Sequence, residues 1–460
     1  MGRLFQSSRD AEGSGLSSNV ASSLAGETGG EALRHFRRCQ AALVASLTIC
    51  ALMPITLGSC SIAADNARVA SPSAGSTSQG ASAAAEDSAF PGRHRATTPG
   101  GPSTSATTQI MPYAYTGAGS LGSEARHAKA LVYVPNQLSA SVQVIDPRRY
   151  KVVKTFHVAT SPEHVVPSHD LTRLWVNSDA GNALTPINPR TGRPGRAVKV
   201  PDPYNLYFTP DGRYALVMAH RLHRIEVRDA HTMSLRRSLQ VPCDGLNHGD
   251  FSADLKLFVV SCEFGGNLVV VDAEATRILK VINLNAIHTK GASKSMSGPR
   301  SMRRQGVTAM PQDVRLAPDG RQILVADMLR NGVWVIDANT WRYVRFIHTG
   351  RGAHSVYPSR DGHRMYVSNR DQGTVSVLDG RTLAQLAVWH IPGGGSPDMG
   401  GVSADGGELW LSGRYNSVVY VLSTTTGRLV HRIRVRPGPH GLLVWPQPGR
   451  FSLGHTGNMR

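Results

Sequence analysis

From Leu131 onward, short apolar and β-branched runs alternate with polar turns, and the alternation returns at a fixed spacing. The clearest copy is Asp361 to Leu383, DGHRMYVSNRDQGTVSVLDGRTL. Asp361-Gly362 is a tight-turn dipeptide, Met365-Tyr366-Val367 an extended run, Asn369 to Gly373 a polar turn, and Thr374 to Leu378 a second extended run. The frame recurs as LVYVPNQLSASVQVID, LWVNSDAGNALTPIN, ALVMAHRLHRIEVRD, LFVVSCEFGGNLVVVD, ILVADMLRNGVWVID and LWLSGRYNSVVYVLS. A polar residue closes the second run each time: Asp146, Asn188, Asp229, Asp272, Asp337, Asp379 and Ser423. Their successive separations are 42, 41, 43, 65, 42 and 44 residues. A period of about 40 to 50 residues built from short strands indicates propeller blades, not a helical solenoid. The pattern therefore predicts an all-β, seven-bladed β-propeller. The segment His440 to Trp445 should return as the innermost strand of the blade that begins at Leu131, because only then are there seven innermost strands and no sheet edge between first and last blades.

Tyr133-Val134-Pro135-Asn136 and Tyr366-Val367-Ser368-Asn369 resemble the signature of the YVTN-repeat, YncE-like β-propellers, WD40-like in architecture, and the resemblance runs over roughly residues 130 to 460. It implies the fold but leaves the chemistry open. Similar proteins include binding proteins, surface-layer proteins, lactonase-like enzymes and the cofactor domains of redox enzymes, and one fold hosts many functions.

Upstream, composition divides the chain. Residues 1–33 are rich in Gly, Ser and Ala without apolar periodicity and read as a disordered extension or a mis-assigned start. Residues 34–60 pass from the basic cluster Arg34, Arg37, Arg38 through the apolar stretch Ala41 to Leu57 and end in Leu57-Gly58-Ser59-Cys60. This resembles a bacterial lipoprotein signal, which would make Cys60 the lipidated residue; the alternative is an uncleaved single-span anchor. Either places the rest outside the cytoplasm, lipid-anchored in the first case. Residues 61–125 form a Ser, Ala, Gly, Thr and Pro tract, expected to be a flexible tether, and 126–460 form the propeller.

Of five cysteines, Cys39 and Cys50 would leave with the signal and Cys60 would carry lipid, so Cys243 and Cys262 remain in the domain. Both fall at the same end of one hairpin. They are expected to form a disulfide, with two buried thiols as the alternative.

The chain carries a net charge of +18. From Ser61 onward 45 Lys and Arg stand against 28 acids, which favours anionic partners. The loops between second and third strands place Arg221, Arg330, Arg370 and Arg414 on one face of a propeller. The long insertion, basic over 285–310 and without an acid from Ala275 to Gln312, adds Lys290, Lys294, Arg300, Arg303 and Arg304 to that face. An anionic polymer, an anionic lipid surface or a partner protein is expected there. Nucleic acid has less support, because Tyr415 and Phe264 are the only aromatics in those loops to stack bases. A monomer is expected.

Counting back seven positions from each Asp-Gly-type turn picks one residue per blade near the channel mouth: Glu163, Tyr204, Asn247, Gln312, His354, Asp398 and His440. Ring order makes His354, Asp398, His440 and Glu163 neighbours, an arc that could hold Zn or another divalent metal, with His164 and His248 one position on. The alternative is a hydrated polar lining. The chain has no HExxH, GxSxG, CxxCH or Walker motif. Binding or scaffolding at the basic face and channel mouth is thus favoured over catalysis. The alternative is a metal-dependent lactonase-like or lyase-like enzyme using the His and Asp arc.

Overall fold

The computed structural model describes residues 111–289 and 306–460. Seven antiparallel sheets succeed one another around a central channel. Numbered along the chain, the blades have their innermost strands at Leu443–Trp445 (blade 1), Pro162–Pro167 (blade 2), Pro203–Phe208 (blade 3), Leu246–Phe251 (blade 4), Pro311–Leu316 (blade 5), Ala353–Pro358 (blade 6) and Pro397–Val402 (blade 7). Burial falls outward within each blade. The innermost strand of blade 2 is buried at every position, whereas the outermost strand of blade 1, Lys151–His157, alternates exposed and half-buried residues. The middle strands, such as Asn267–Asp272 and Gly332–Asp337, are continuous apolar runs covered on both faces, and the outermost alternate where one face meets water.

The repeat residues have local causes. Asn369, which ends the Tyr-Val-Ser-Asn run, is buried; its amide donates to Thr374 and Ser376 across the hairpin while its carbonyl accepts from Gly350 N–H. The polar residue closing each second run caps the following turn. Asp337 accepts from the backbone of Asn339 and Thr340 and from the Thr340 hydroxyl, and Asp379 does the same for Arg381 and Thr382. Gly362 takes φ +69°, the left-handed value its turn demands.

The core lies between blades. Blades 3 and 4 share Tyr207, Leu216, Phe251, Phe258 and Val269, and blades 4 and 5 share Val259, Leu268, Val314, Ile323 and Trp334. Each fully buried aliphatic or aromatic side chain of this kind contributes roughly 1.5–3 kcal/mol. Cys243 and Cys262 are joined by a disulfide, with Cα atoms 5.1 Å apart and a sequence separation of 19. A loop of that length is worth about 3 kcal/mol through restriction of the unfolded chain.

The ring closes as the strand count requires: Leu131, Val132 and Tyr133 pair antiparallel with Trp445, Val444 and Leu443. The chain then does something the repeat does not announce. Residues 446–460 fold back along the channel axis, where Gly454 bridges Tyr207, His455 N–H donates to Leu206, and Leu453, Thr456, Asn458 and Met459 are all buried.

One sequence expectation shifts. The tether does not extend to residue 125. From 111 on the chain is folded against the propeller, with Tyr113 Oη donating to the Leu316 carbonyl, Leu121 bridging Gly449, and a short helix over Ser123–Arg126 that buries Ala125. The large side chain of Tyr113 in a Gly- and Ser-rich context is the physical signal for this. The signal segment with Cys60, the rest of the tether, and Lys290, Lys294, Arg300, Arg303 and Arg304 lie outside the described residues. Among the described residues no helix is long and apolar enough to cross a membrane.

Candidate metal centre in the channel

Six of the seven innermost strands are irregular at the same place. Register slips between Pro162 and His164, Pro203 and Asn205, Leu246 and Gly249, Pro311 and Val314, Ala353 and Val356, and Pro397 and Gly400. A bulge sets two consecutive residues against one partner and redirects both side chains. Adjacent pairs such as Asn247 with His248 and Gln312 with Asp313 therefore sit together at the hub, where a regular strand would send alternate residues to opposite faces. Serines on the neighbouring strand hold the bulges. Ser261 donates to the Gln312 carbonyl and Ser368 to the Asp398 carbonyl, each tying one blade to the next.

The first hub layer joins the four residues of the expected arc. His440 Nδ1 donates to Glu163 Oε2 at 2.6 Å, which leaves its Nε2 lone pair directed toward Asp398 Oδ2 at 3.6 Å. His354 Nδ1 lies 2.9 Å from Asp398 Oδ1 without hydrogen-bond alignment. Asp398 Oδ2 is buried and has no hydrogen-bond partner. Glu163 is fixed by Gln137 and Ser161. Burial pushes His440 well below the usual imidazole range, with Arg414 adding to the effect, so the ring is neutral at physiological pH. Burial alone would raise Asp398; His354 and the Arg370 guanidinium hold it well below the usual carboxylate range. All four residues are at most 2% exposed, so they stand inside the channel and not at an open mouth.

A second layer lies against the first. His164, His248 and His455 are wholly buried, with His164 Nε2 and His248 Nε2 3.2 Å apart. The His164 ring is 4.9 Å from that of His440. Burial drives His164 down to about 3. Beneath it, Arg460 and Asn458 of the returning tail reach Asp250 at 2.7 and 2.6 Å, and Arg315 stands 3.6 Å from Asp313.

Of the remaining positions, Tyr204, Asn247 and Gln312 also occupy the hub, as spectators of the arc: Asn247 bonds Glu263 and Gln312 bonds the Met310 carbonyl. The four loop arginines share one end of the propeller but do not form a free cationic rim. Arg370 is 7% exposed and lies 3.2 Å from Asp398, and Arg414 turns inward to Gln137 and Glu163. Arg221 pairs with Asp202 at 2.7 Å and keeps an outer face in solvent. Arg330 bonds Thr289 and Thr308 on either side of the insertion and stacks over Trp334, so it pins the base of that loop. Counting charge by loop position could not reveal these partners, because each carboxylate comes from a different part of the ring.

The sequence reading missed His455, Asp313, Asp250, Arg315 and Arg460. Asp313 sits one place past a counted position, where only the bulge turns it inward, and His455 and Arg460 lie beyond the last repeat. The only trace in sequence was a His and an Arg in a segment with Gly449, Gly454 and Gly457, all three at positive φ.

The YncE-like beta-propeller family model matches residues 105–448. The chain belongs to this family. No curated protein matches it. Among solved structures, this YncE-like propeller is similar to a functionally unknown protein from Desulfotomaculum acetoxidans DSM 771, at 14% identity and TM-score 0.53 over 69% of this chain and 100% of the other. It is also similar to dihydro-heme d1 dehydrogenase NirN in complex with DHE, at 14% identity and TM-score 0.50 over 70% of this chain and 76% of that one. At such identities the likeness concerns the fold alone.

Proposed function

We propose that this YncE-like propeller is an extracytoplasmic binding protein whose channel holds a first-row transition-metal ion between His354, Asp398 and His440. The observation that carries this is the meeting of two acceptors. His440 spends its proton on Glu163, and its remaining lone pair faces an unpartnered carboxylate oxygen 3.6 Å away in a buried site. Two like lone pairs so placed repel unless a cation lies between them. Two ligand atoms each about 2.1 Å from a tetrahedral ion stand about 3.4 Å apart, close to this separation. Glu163 is then the outer carboxylate that orients a ligating imidazole. Imidazole with carboxylate suits zinc, and copper or iron less selectively.

Arg370 Nε and Arg414 Nη1 are buried without hydrogen-bond partners at the loop end of this layer. They supply donors for a small anionic ligand approaching the ion. Metal analysis of the purified full-length chain tests the reading: the ion content should fall by one equivalent in Asp398→Asn and in His440→Ala. A metal content unchanged in both variants would sink it. The anchoring at Cys60 and the attraction of the basic insertion to anionic polymer or lipid belong to the same proposal, the first placing the domain at the cell envelope and the second its loop end against an anionic surface.

A further inference from the structure

We infer that His164, His248 and His455 form a second, all-imidazole metal site, and that an ion held there fastens residues 446–460 inside the propeller. The site is distinct in its ligands from the first and is carried by observations of its own. One ligating atom from each ring lies within 4.8 Å of the others, and every ring is fully buried. The three come from separate parts of the ring: His164 from the bulge of blade 2, His248 from the bulge of blade 4, and His455 from the tail.

His164 is oriented as a ligand requires. His164 donates Nδ1–H to the Tyr204 carbonyl at 2.9 Å, which fixes its tautomer and leaves Nε2 bare toward the cluster. His248 Nε2 stands 3.2 Å from that atom, near the spacing of about 3.4 Å for two nitrogens on one tetrahedral ion. His455 Nδ1 accepts from the Asn205 amide, 3.0 Å away, so the neutral ring carries its proton on Nε2, which has no hydrogen-bond partner; ligation through Nε2 moves that proton to Nδ1 and turns the Asn205 carbonyl toward it. Buried polar nitrogens without partners are rare in folded proteins and call for an explanation such as an ion. Asp313 Oδ1, also unpartnered and 3.7 Å from His455 Nε2, provides a carboxylate beside the site.

Three imidazoles with no thiolate select zinc or copper over magnesium or calcium, which take oxygen ligands. The structural consequence follows from where the third ligand resides. Without an ion, the tail is held by Asp250, by the Tyr207 bridge and by apolar packing of Leu453. With one, blade 2 and blade 4 are tied through the tail across the hub, a link that no backbone pairing supplies.

The test uses the full-length chain, stripped of metal with chelator and reloaded with zinc. Wild type should take up two equivalents, His455→Gln one, and Asp398→Asn one. Hydrogen exchange of Leu453 to Asn458 should slow about 100-fold when zinc is raised to a hundred times its dissociation constant, because tail opening must release the ion. In His455→Gln that protection should vanish while the ion bound by His354, Asp398 and His440 remains. His248→Gln, which leaves the tail sequence intact, should give the same two results and guards against a mere packing defect at 455. If His455→Gln and His248→Gln still bind two equivalents, or if zinc leaves tail exchange unchanged in wild type, the inference fails even when the first site is confirmed. Loss of ion in Asp398→Asn only, with one equivalent in wild type, would confirm the first site and remove the second.

Discussion

Arg460→Met removes a charge from the bottom of the channel while keeping most of the side chain's length. In the native chain, Asp250 Oδ1 accepts from Arg460, Asn458 and Phe251 N–H, and Oδ2 from Leu316 N–H. Asp250 is wholly buried and Arg460 is 5% exposed. Breaking a buried ion pair by deleting one partner costs about 3–5 kcal/mol. Here the lower end applies, since three neutral donors still reach the carboxylate. For a domain of this size a urea slope of about 3 kcal/mol per M is expected, so the midpoint should fall by about 1 M. Urea titration followed by both tryptophan fluorescence and far-ultraviolet circular dichroism measures the shift and checks that the two transitions coincide. The double variant Asp250→Asn with Arg460→Met should recover most of the loss, because neither partner is then left charged and alone. A midpoint change below about 0.3 M on that slope, or simple additivity in the double variant, would refute the claim that this pair anchors the tail.

Asp337 and Asp379 are held below the usual carboxylate range by backbone and hydroxyl donors of Thr340 and Thr382. A carboxylate depressed in the folded state stabilises above its unfolded value of about 3.9 and loses that contribution as pH falls through the lower folded value. The melting-temperature gap between wild type and Asp337→Asn with Asp379→Asn should thus be constant from about pH 5 to 7 and close on acidification; a gap that widens in acid would contradict it. Deleting Lys290 to Arg304 should weaken binding to anionic vesicles and flatten its salt dependence, whereas charge reversal at Arg148 and Arg149 should do much less; co-sedimentation at two salt concentrations decides. Cys60→Ala should abolish metabolic lipid labelling, and labelling that persists would dismiss lipid attachment at this residue.

The architecture was legible because it is written seven times. Each closing residue such as Asp337 caps a turn through bonds to its own next few residues, so its meaning is local and a single sequence displays it. The arc of Glu163, His354, Asp398 and His440 was legible for a related reason: ring symmetry converts equal repeat positions into neighbours. What stayed hidden depends on departures from the repeat. Asp313 faces the hub through a bulge that shifts register by one residue, and His455 reaches it on a segment with no repeat partner. The arginines misled because loop position fixes where a side chain starts and not where it turns; Arg370 bends inward to a carboxylate on the next blade.

The pairing of Leu131–Tyr133 with Leu443–Trp445 has a kinetic side. The two strands are more than 300 residues apart in the chain, and contacts of such range form slowly because the intervening polymer must first be drawn together. Until then blade 1 lacks its inner strand and blade 7 an adjoining neighbour, and the exposed edges invite pairing with other chains. The segment that ends this exposure is synthesised after every other strand. A nascent ring of this kind therefore keeps both edges open until Leu443–Trp445 have emerged.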